Sequence, residues 1–222
     1  MEKDEELDDA LAEISIMSEK FDALTTHVDH LISWGDFLEQ SKEDLQKMSE
    51  RLSSIELMAE SCIKNNGEID IEFGLGVCWI GAVAIYEGHL HNLFLNALSV
   101  RSLQERISRF CAERIENKKP PRKGMKTATP EDIKEWLTER TITDPRKIAE
   151  NFEEIFGIKT MRPDDKLCDH LLYIRNSFTH RGGGHKISMN DILEMTKYLN
   201  NIAIMYTTSL FSEVDKILQQ DI

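Results

Sequence analysis

Proline and glycine are scarce in this chain, with five and eleven among 222 residues. Together with the lack of any sustained polar/apolar alternation, this leaves little from which to build strands and tight hairpins. The four cysteines, Cys62, Cys78, Cys111 and Cys168, stand far apart in sequence with no CxxC pair. Neither a zinc knuckle nor a disulfide framework is expected, and the thiols read as reduced. Long hydrophobic runs are also missing. The most apolar stretch, residues 73–86, spans fourteen residues between Glu72 and Glu87, short of the roughly 20 needed to cross a bilayer. It reads as a buried core helix. The first residues, Met1-Glu2-Lys3-Asp4-Glu5-Glu6, lack the basic and apolar regions of a secretory signal, so a cytoplasmic protein with no membrane association is expected.

Basic charge is in short supply too. The formal net charge is −13, which by itself argues against a general polyanion-binding surface. The distribution of that charge weakens the objection. Residues 1–66 hold 17 Asp/Glu and 6 Lys/Arg, leaving 23 acids and 21 bases for residues 67–222. The chain accordingly divides into an acidic N-terminal helical segment, 1–66, and a nearly neutral helical domain, 67–222.

What is present is helical periodicity almost throughout, which predicts an all-α bundle with long N-terminal helices. Leu7, Ala10, Ile14, Met17, Phe21, Leu24, Val28 and Leu31 occupy a and d positions of four consecutive heptads. That pattern suits either a helix against the bundle or a dimer interface. Gly35 is expected to interrupt it, with a second helix over 37–64 stopped by Asn65-Asn66-Gly67. Residues 71–98 are apolar nearly all round and form the expected central helix. Its Gly74, Gly76 and Gly81 imply close approach by a neighbouring helix, unless the helix starts after Gly76.

A basic loop, 117–126, carries Lys118, Lys119, Arg122, Lys123 and Lys126 beside the pair Pro120-Pro121. Thr129-Pro130 and Asp144-Pro145 then open two short helices, the second closing at Gly157. A helix over 163–180 follows, with Leu167, Leu171, Leu172 and Ile174 as its apolar face. After the break at Gly182-Gly183-Gly184, a last helix opens at Ser188-Met189-Asn190-Asp191. Ile192, Met195, Leu199, Ile202, Tyr206 and Leu210 form its buried stripe.

At the end of the 163–180 helix stands Arg175-Asn176-Ser177-Phe178-Thr179-His180. Asn176 and His180 are one turn apart on one face, with Arg175 offset to the side. RNA carries its own nucleophile, the 2′-OH. Cleavage therefore needs an acid/base titrating near neutrality, which histidine supplies, and a cation for phosphorane charge, which arginine supplies. The structural alternative is a surface arginine and a helix-terminal histidine interacting with the macrodipole. His89 and His91, two residues apart, cannot share a helical face. His180 and His185 have no evident third ligand, so no metal site and no cofactor are expected.

The hexapeptide matches the Arg-Asn-x-x-x-His form of the Arg-x4-6-His motif, and the chain resembles the HEPN superfamily over residues 70–222. Shared features are an apolar helix carrying an acid (Glu87), the motif at a helix end, a glycine-rich break and a long last helix. The leading helices are similar to those of the RiboL-PSP-like branch. The resemblance implies a HEPN-type bundle and a metal-independent endoribonuclease acting as a homodimer with a composite site. It also implies catalysis by Arg175, Asn176 and His180, and a toxin or defence effector kept in check by an antitoxin or regulatory protein. Glu87 is then either a buried acid paired with Arg175 or the exposed end of its apolar run. Arg181 and Lys186, flanking the glycines, are the expected RNA contacts near the cut, and Lys118, Lys119, Arg122 and Lys123 those farther away. The alternative is a non-catalytic helical module that binds a protein partner.

Overall fold

The computed structural model describes residues 2–65, 70–120, 126–139, 142–181 and 186–220, and of residues 2–10, 181 and 220 the helical backbone alone. The described residues form seven α-helices and one 3-10 turn, with no strand among them. In chain order they are α1 (Glu2–Lys64), α2 (Ile71–Ala97), the 3-10 turn Arg101–Leu103, α3 (Gln104–Glu116), α4 (Pro130–Thr138), α5 (Pro145–Phe156), α6 (Asp165–Arg181) and α7 (Met189–Gln220). The expected all-α architecture is what the chain adopts.

The helix ends follow their local chemistry. Asp70 caps α2 through the Phe73 amide, and Thr129 and Asp132 form a reciprocal capping box with Pro130 in the first turn of α4. Asp144 accepts from the Arg146 amide ahead of Pro145, and α5 closes on Gly157 in the left-handed conformation, φ 67°. Such caps satisfy backbone groups that the helix itself leaves orphaned. Ser188 and Asp191 cap α7 in the same reciprocal way. The expected start of α6 at Pro163 moves two residues on, because the Asp164 carboxylate takes the Leu167 amide and sets the helix start at Asp165.

The core is built on α2, with α1 and α7 alongside and α6 and α4 against it. Trp79, Tyr86, Leu90, Leu93 and Phe94 are among its fully buried side chains. α2 occupies the expected range, and by its length of 27 residues and its composition it is apolar enough to cross a membrane, although its fourteen-residue apolar run alone is not. Helices α1, α7, α6 and α4 cover most of it, as befits a core helix, and leave one face, with Phe73, Val77, Ala84, Gly88 and Asn92, exposed. All six residues of the expected α7 stripe are buried.

One expectation about the acidic segment is corrected. No break occurs at Gly35, and α1 is one helix of 63 residues. A lone glycine costs about 1 kcal/mol of helix propensity, less than the flanking turns recover where Trp34 and Phe37 pack on Phe211 of α7. The later half of α1 packs into the bundle. Phe37, Met48, Leu52, Ile55 and Ala59 belong to the same hydrophobic cluster as α2 and α7. Ser49 and Glu56 also hydrogen-bond Asn200 and Thr196 on α7.

The heptad stripe, by contrast, does not face the bundle. Every side chain from 11 to 26 is exposed. Where α1 reaches the bundle, the residues turned inward are His27, His30, Trp34, Phe37 and Ser41. Val28 and Leu31, the last members of the stripe, stay 44% and 46% exposed.

His89 on α2 is buried, with Nε2 3.4 Å from the Thr207 hydroxyl. Desolvation lowers its pKa from the ordinary 6.5 to about 4, against a weaker opposing effect of Asp44. The unfolded chain therefore takes up this proton at a higher pH than the folded one. Stability is unaffected above the ordinary value and falls as pH drops from 6.5 towards 4, by roughly 3 kcal/mol in all. Denaturant titrations at pH 7.5 and 4.5 should show this loss in the wild type and a smaller one in His89→Gln.

Candidate functional site at the end of helix α6

Four independent contacts fix α6 on the bundle. At its start, Arg146 of α5 bonds Asp144 beside it and reaches Asp165 and Asp169 at 3.6 and 2.8 Å. These carboxylates hold the guanidinium firmly protonated, its pKa raised above the ordinary value by the Asp144 hydrogen bond first. Further along, the Cys168 thiol lies 3.3 Å from the Tyr198 hydroxyl of α7, and His170 meets Trp79 edge-on at 5.5 Å. Near its end, Phe178 packs on Gly76 of α2. A Cβ built at Gly76 would lie 1.9 Å from the Phe178 ring.

That last contact resolves the glycines of α2. The helix begins at Ile71, before Gly76, and the missing side chain leaves the space that the phenyl ring fills. Phe178, one of the variable positions of the hexapeptide, is thus its anchor. Leu171, Ile174 and Cys168 bury with it, whereas Leu167 is 39% exposed and Leu172 only partly covered.

With Phe178 turned inward, the opposite face of the last two turns is open. Tyr173, Asn176, Ser177 and His180 line a cleft of about 350 Å³ there. These residues stand at i, i+3, i+4 and i+7, the spacing of one helical face. The pairing of Asn176 with His180 expected from the hexapeptide is therefore realised. Arg175 is placed differently. It sits half-buried on the shoulder between the packed and open faces, does not line the cleft, and donates from Nη1 to Asn176 Oδ1 at 3.3 Å. Tyr173 and Ser177 were not singled out in the sequence, although their spacing relative to His180 carried the signal.

The other candidate residues lie elsewhere. Glu87 is half-buried and accepts the Thr143 hydroxyl. It is neither the exposed end of a run nor the partner of Arg175, because it stands eleven residues, about 16 Å, along α2 from the point where Phe178 crosses. Lys186 is exposed just ahead of buried Ile187. Lys118 and Lys119 are exposed at the end of α3, with Lys118 in the left-handed conformation, φ 54°. Arg122, Lys123 and the side chain of Arg181 lie outside the described residues, as do Gly182–Gly184 and His185. Among the described residues, no three His, Cys, Asp or Glu side chains gather closely enough to hold a metal ion.

Comparison of the chain with family models, with curated proteins and with solved structures finds no match.

The Phe178–Gly76 contact should be visible in stability. Gly76→Ala is expected to cost about 1–3 kcal/mol by overpacking, and Phe178→Ala about 3–5 kcal/mol by leaving a cavity. In the double variant the added methyl enters the space the ring vacated, so the two costs should fall short of additivity. Additive losses in urea unfolding would show that the two residues do not share this contact.

Proposed function

We propose that this protein is a metal-independent endoribonuclease of the HEPN type, with its active site at the end of α6. The observation that carries the reading is the placement of Asn176 and His180 on one exposed face, lining one cleft, with Arg175 hydrogen-bonded to Asn176 at its edge. His180 acts as the acid/base on the 2′-OH or on the leaving 5′-oxygen. Arg175 places its guanidinium against the phosphate, and Asn176 orients Arg175 through the bond between them. Attack of the 2′-oxygen on phosphorus breaks the P–O5′ bond and leaves a 2′,3′-cyclic phosphate and a 5′-OH. Tyr173, which lines the same cleft and is 58% exposed, is the aromatic side chain against which a base would stack.

One histidine cannot be both the base at the attacking oxygen and the acid at the leaving one in a single step. A second copy across a two-fold axis supplies the partner subunit's His180 and brings both Arg175 side chains to the phosphate from the shoulders of the two clefts. The site is then composite and the active species a homodimer. Arg181 and Lys186, which flank the glycines in sequence, and Lys118, Lys119, Arg122 and Lys123 of the basic segment 117–126 are the proposed phosphate contacts. A cytoplasmic toxin or defence effector, restrained by an antitoxin or regulatory protein, is the setting in which such an activity fits.

A non-catalytic helical module that binds a protein partner is the second reading. It is favoured by the position of Arg175, whose guanidinium bonds Asn176 rather than opening into the cleft of the single chain.

Labelled RNA incubated in EDTA with the wild type, Arg175→Ala and His180→Ala separates these readings. The wild type should cut and both variants should lose about 10²–10⁴-fold in rate. Equal cutting by all three removes the assignment to α6, loss of wild-type cutting in EDTA removes the metal-free mechanism, and no cutting by a folded wild type decides for the binding module. If the site is composite, specific activity should fall on dilution through the dissociation range measured by light scattering. Undiminished activity from a monomer contradicts it.

A further inference from the structure

The first half of α1 extends past the bundle. The ion pair between Arg101 and Asp29, 2.6 Å, and the bond from the Arg101 amide to Ser33 mark where the bundle ends. Residues 2–28 continue beyond it as a helical arm about 40 Å long. On the arm, Ile14, Met17, Phe21 and Leu24 are 60–70% exposed. They continue through Val28 and Leu31 as one a/d stripe that is rotated away from the inward face of α1. The stripe is thus not the outer edge of the core. Most helical stability in proteins comes from the packing of an apolar face, and a run of exposed a and d apolar side chains is what a second helix covers.

We infer that the arm is a self-association surface, on which the arm of a second copy of this chain packs antiparallel. Residues 2–28 carry nine acids and two bases, so charge restricts a second copy to the arrangement in which acid meets base. Residues 2–9 carry six acids and one base. A parallel pair would set these two acidic ends side by side, and an antiparallel pair puts them at opposite ends of the seam. In the antiparallel arrangement the residues that precede the a positions face one another. Centred between Ile14 and Met17, it matches Ile14 with the partner's Met17 and Glu13 with the partner's Lys20, and the two-fold axis repeats both matches. The parallel arrangement places Glu13 beside Ser18 and Lys20 beside Thr25, with no charge pair. Antiparallel packing also opposes the helix dipoles favourably.

This interface is separate from the composite site proposed above and does not rest on it. Phe178 meets α2 at Gly76, and the first turns of α7 lie beside Glu56 of α1. The α6 cleft therefore belongs to the end of the bundle remote from the arm. Pairing through the arms leaves the two clefts far apart, so any dimer formed at the clefts uses another face of the molecule.

The test measures the mass of the full chain by sedimentation and light scattering, with helix content and urea stability as controls. Phe21→Glu with Leu24→Glu should lower the mass at least by half while the bundle keeps its unfolding transition, since side chains 11–26 touch none of it. Glu13→Lys should weaken association about tenfold by turning two attractive pairs into repulsive ones. Adding Lys20→Glu should restore it. A wild type that is monomeric in the micromolar range, or a mass unchanged by the paired glutamates, overturns the proposal. Association insensitive to Glu13→Lys but abolished by the glutamates overturns the antiparallel register.

Discussion

The fold depends on burying a helix that has no polar side. Because α2 is apolar around its circumference, it is stable only when other helices cover it, and α1, α7, α6 and α4 are arranged as that cover. Small residues make the close approach possible. Gly76 leaves room for the Phe178 ring, and Gly81 brings the Ile55 Cδ1 atom to 2.9 Å of where a Cβ would stand. Each glycine weakens α2 as a helix by about 1 kcal/mol, and the packing it admits offsets that loss. The same contact that completes the core sets the rotation of the last turns of α6. Core packing and the geometry of the candidate site are in this way one constraint.

That coupling explains why the hexapeptide presents an open polar face. With Phe178 held inward, positions 173, 176, 177 and 180 must point out, and Arg175, between the two faces, cannot do either fully. Its bond to Asn176 is the outcome of that intermediate position. The proposed chemistry turns this into a requirement for a second subunit, since among the described residues neither the arginine nor a second histidine lines the cleft of the single chain.

Charge is segregated along the molecule in a way that follows the same logic. The acidic segment contributes its later half to the core and carries the first part of its acid on the projecting arm, away from the end where RNA would bind in the proposed reading. Exposed apolar side chains on an isolated arm are unfavourable in water. The proposed antiparallel seam covers Ile14, Met17, Phe21 and Leu24 while keeping the acidic ends apart.

The amino-acid sequence by itself determined the helical class, the caps at Thr129, Asp144 and Ser188, the buried stripe of α7 and the central place of α2. It also put Asn176 and His180 on one face. All of these are local or periodic properties, set by spacing of three and four residues and by side chains that bond their own backbone. Only the tertiary structure decided that Gly35 lies within a continuous helix, that the heptad stripe turns away from the core, and that Glu87 serves Thr143 rather than Arg175. It likewise brought Cys62 beside Cys78, whose thiol is pushed up to about 11, chiefly by burial. It made Phe178, a variable position in the motif, the anchor of α6. These outcomes depend on which face of one helix meets which position of another, and that is fixed by the packing of residues distant in sequence, which no local pattern records.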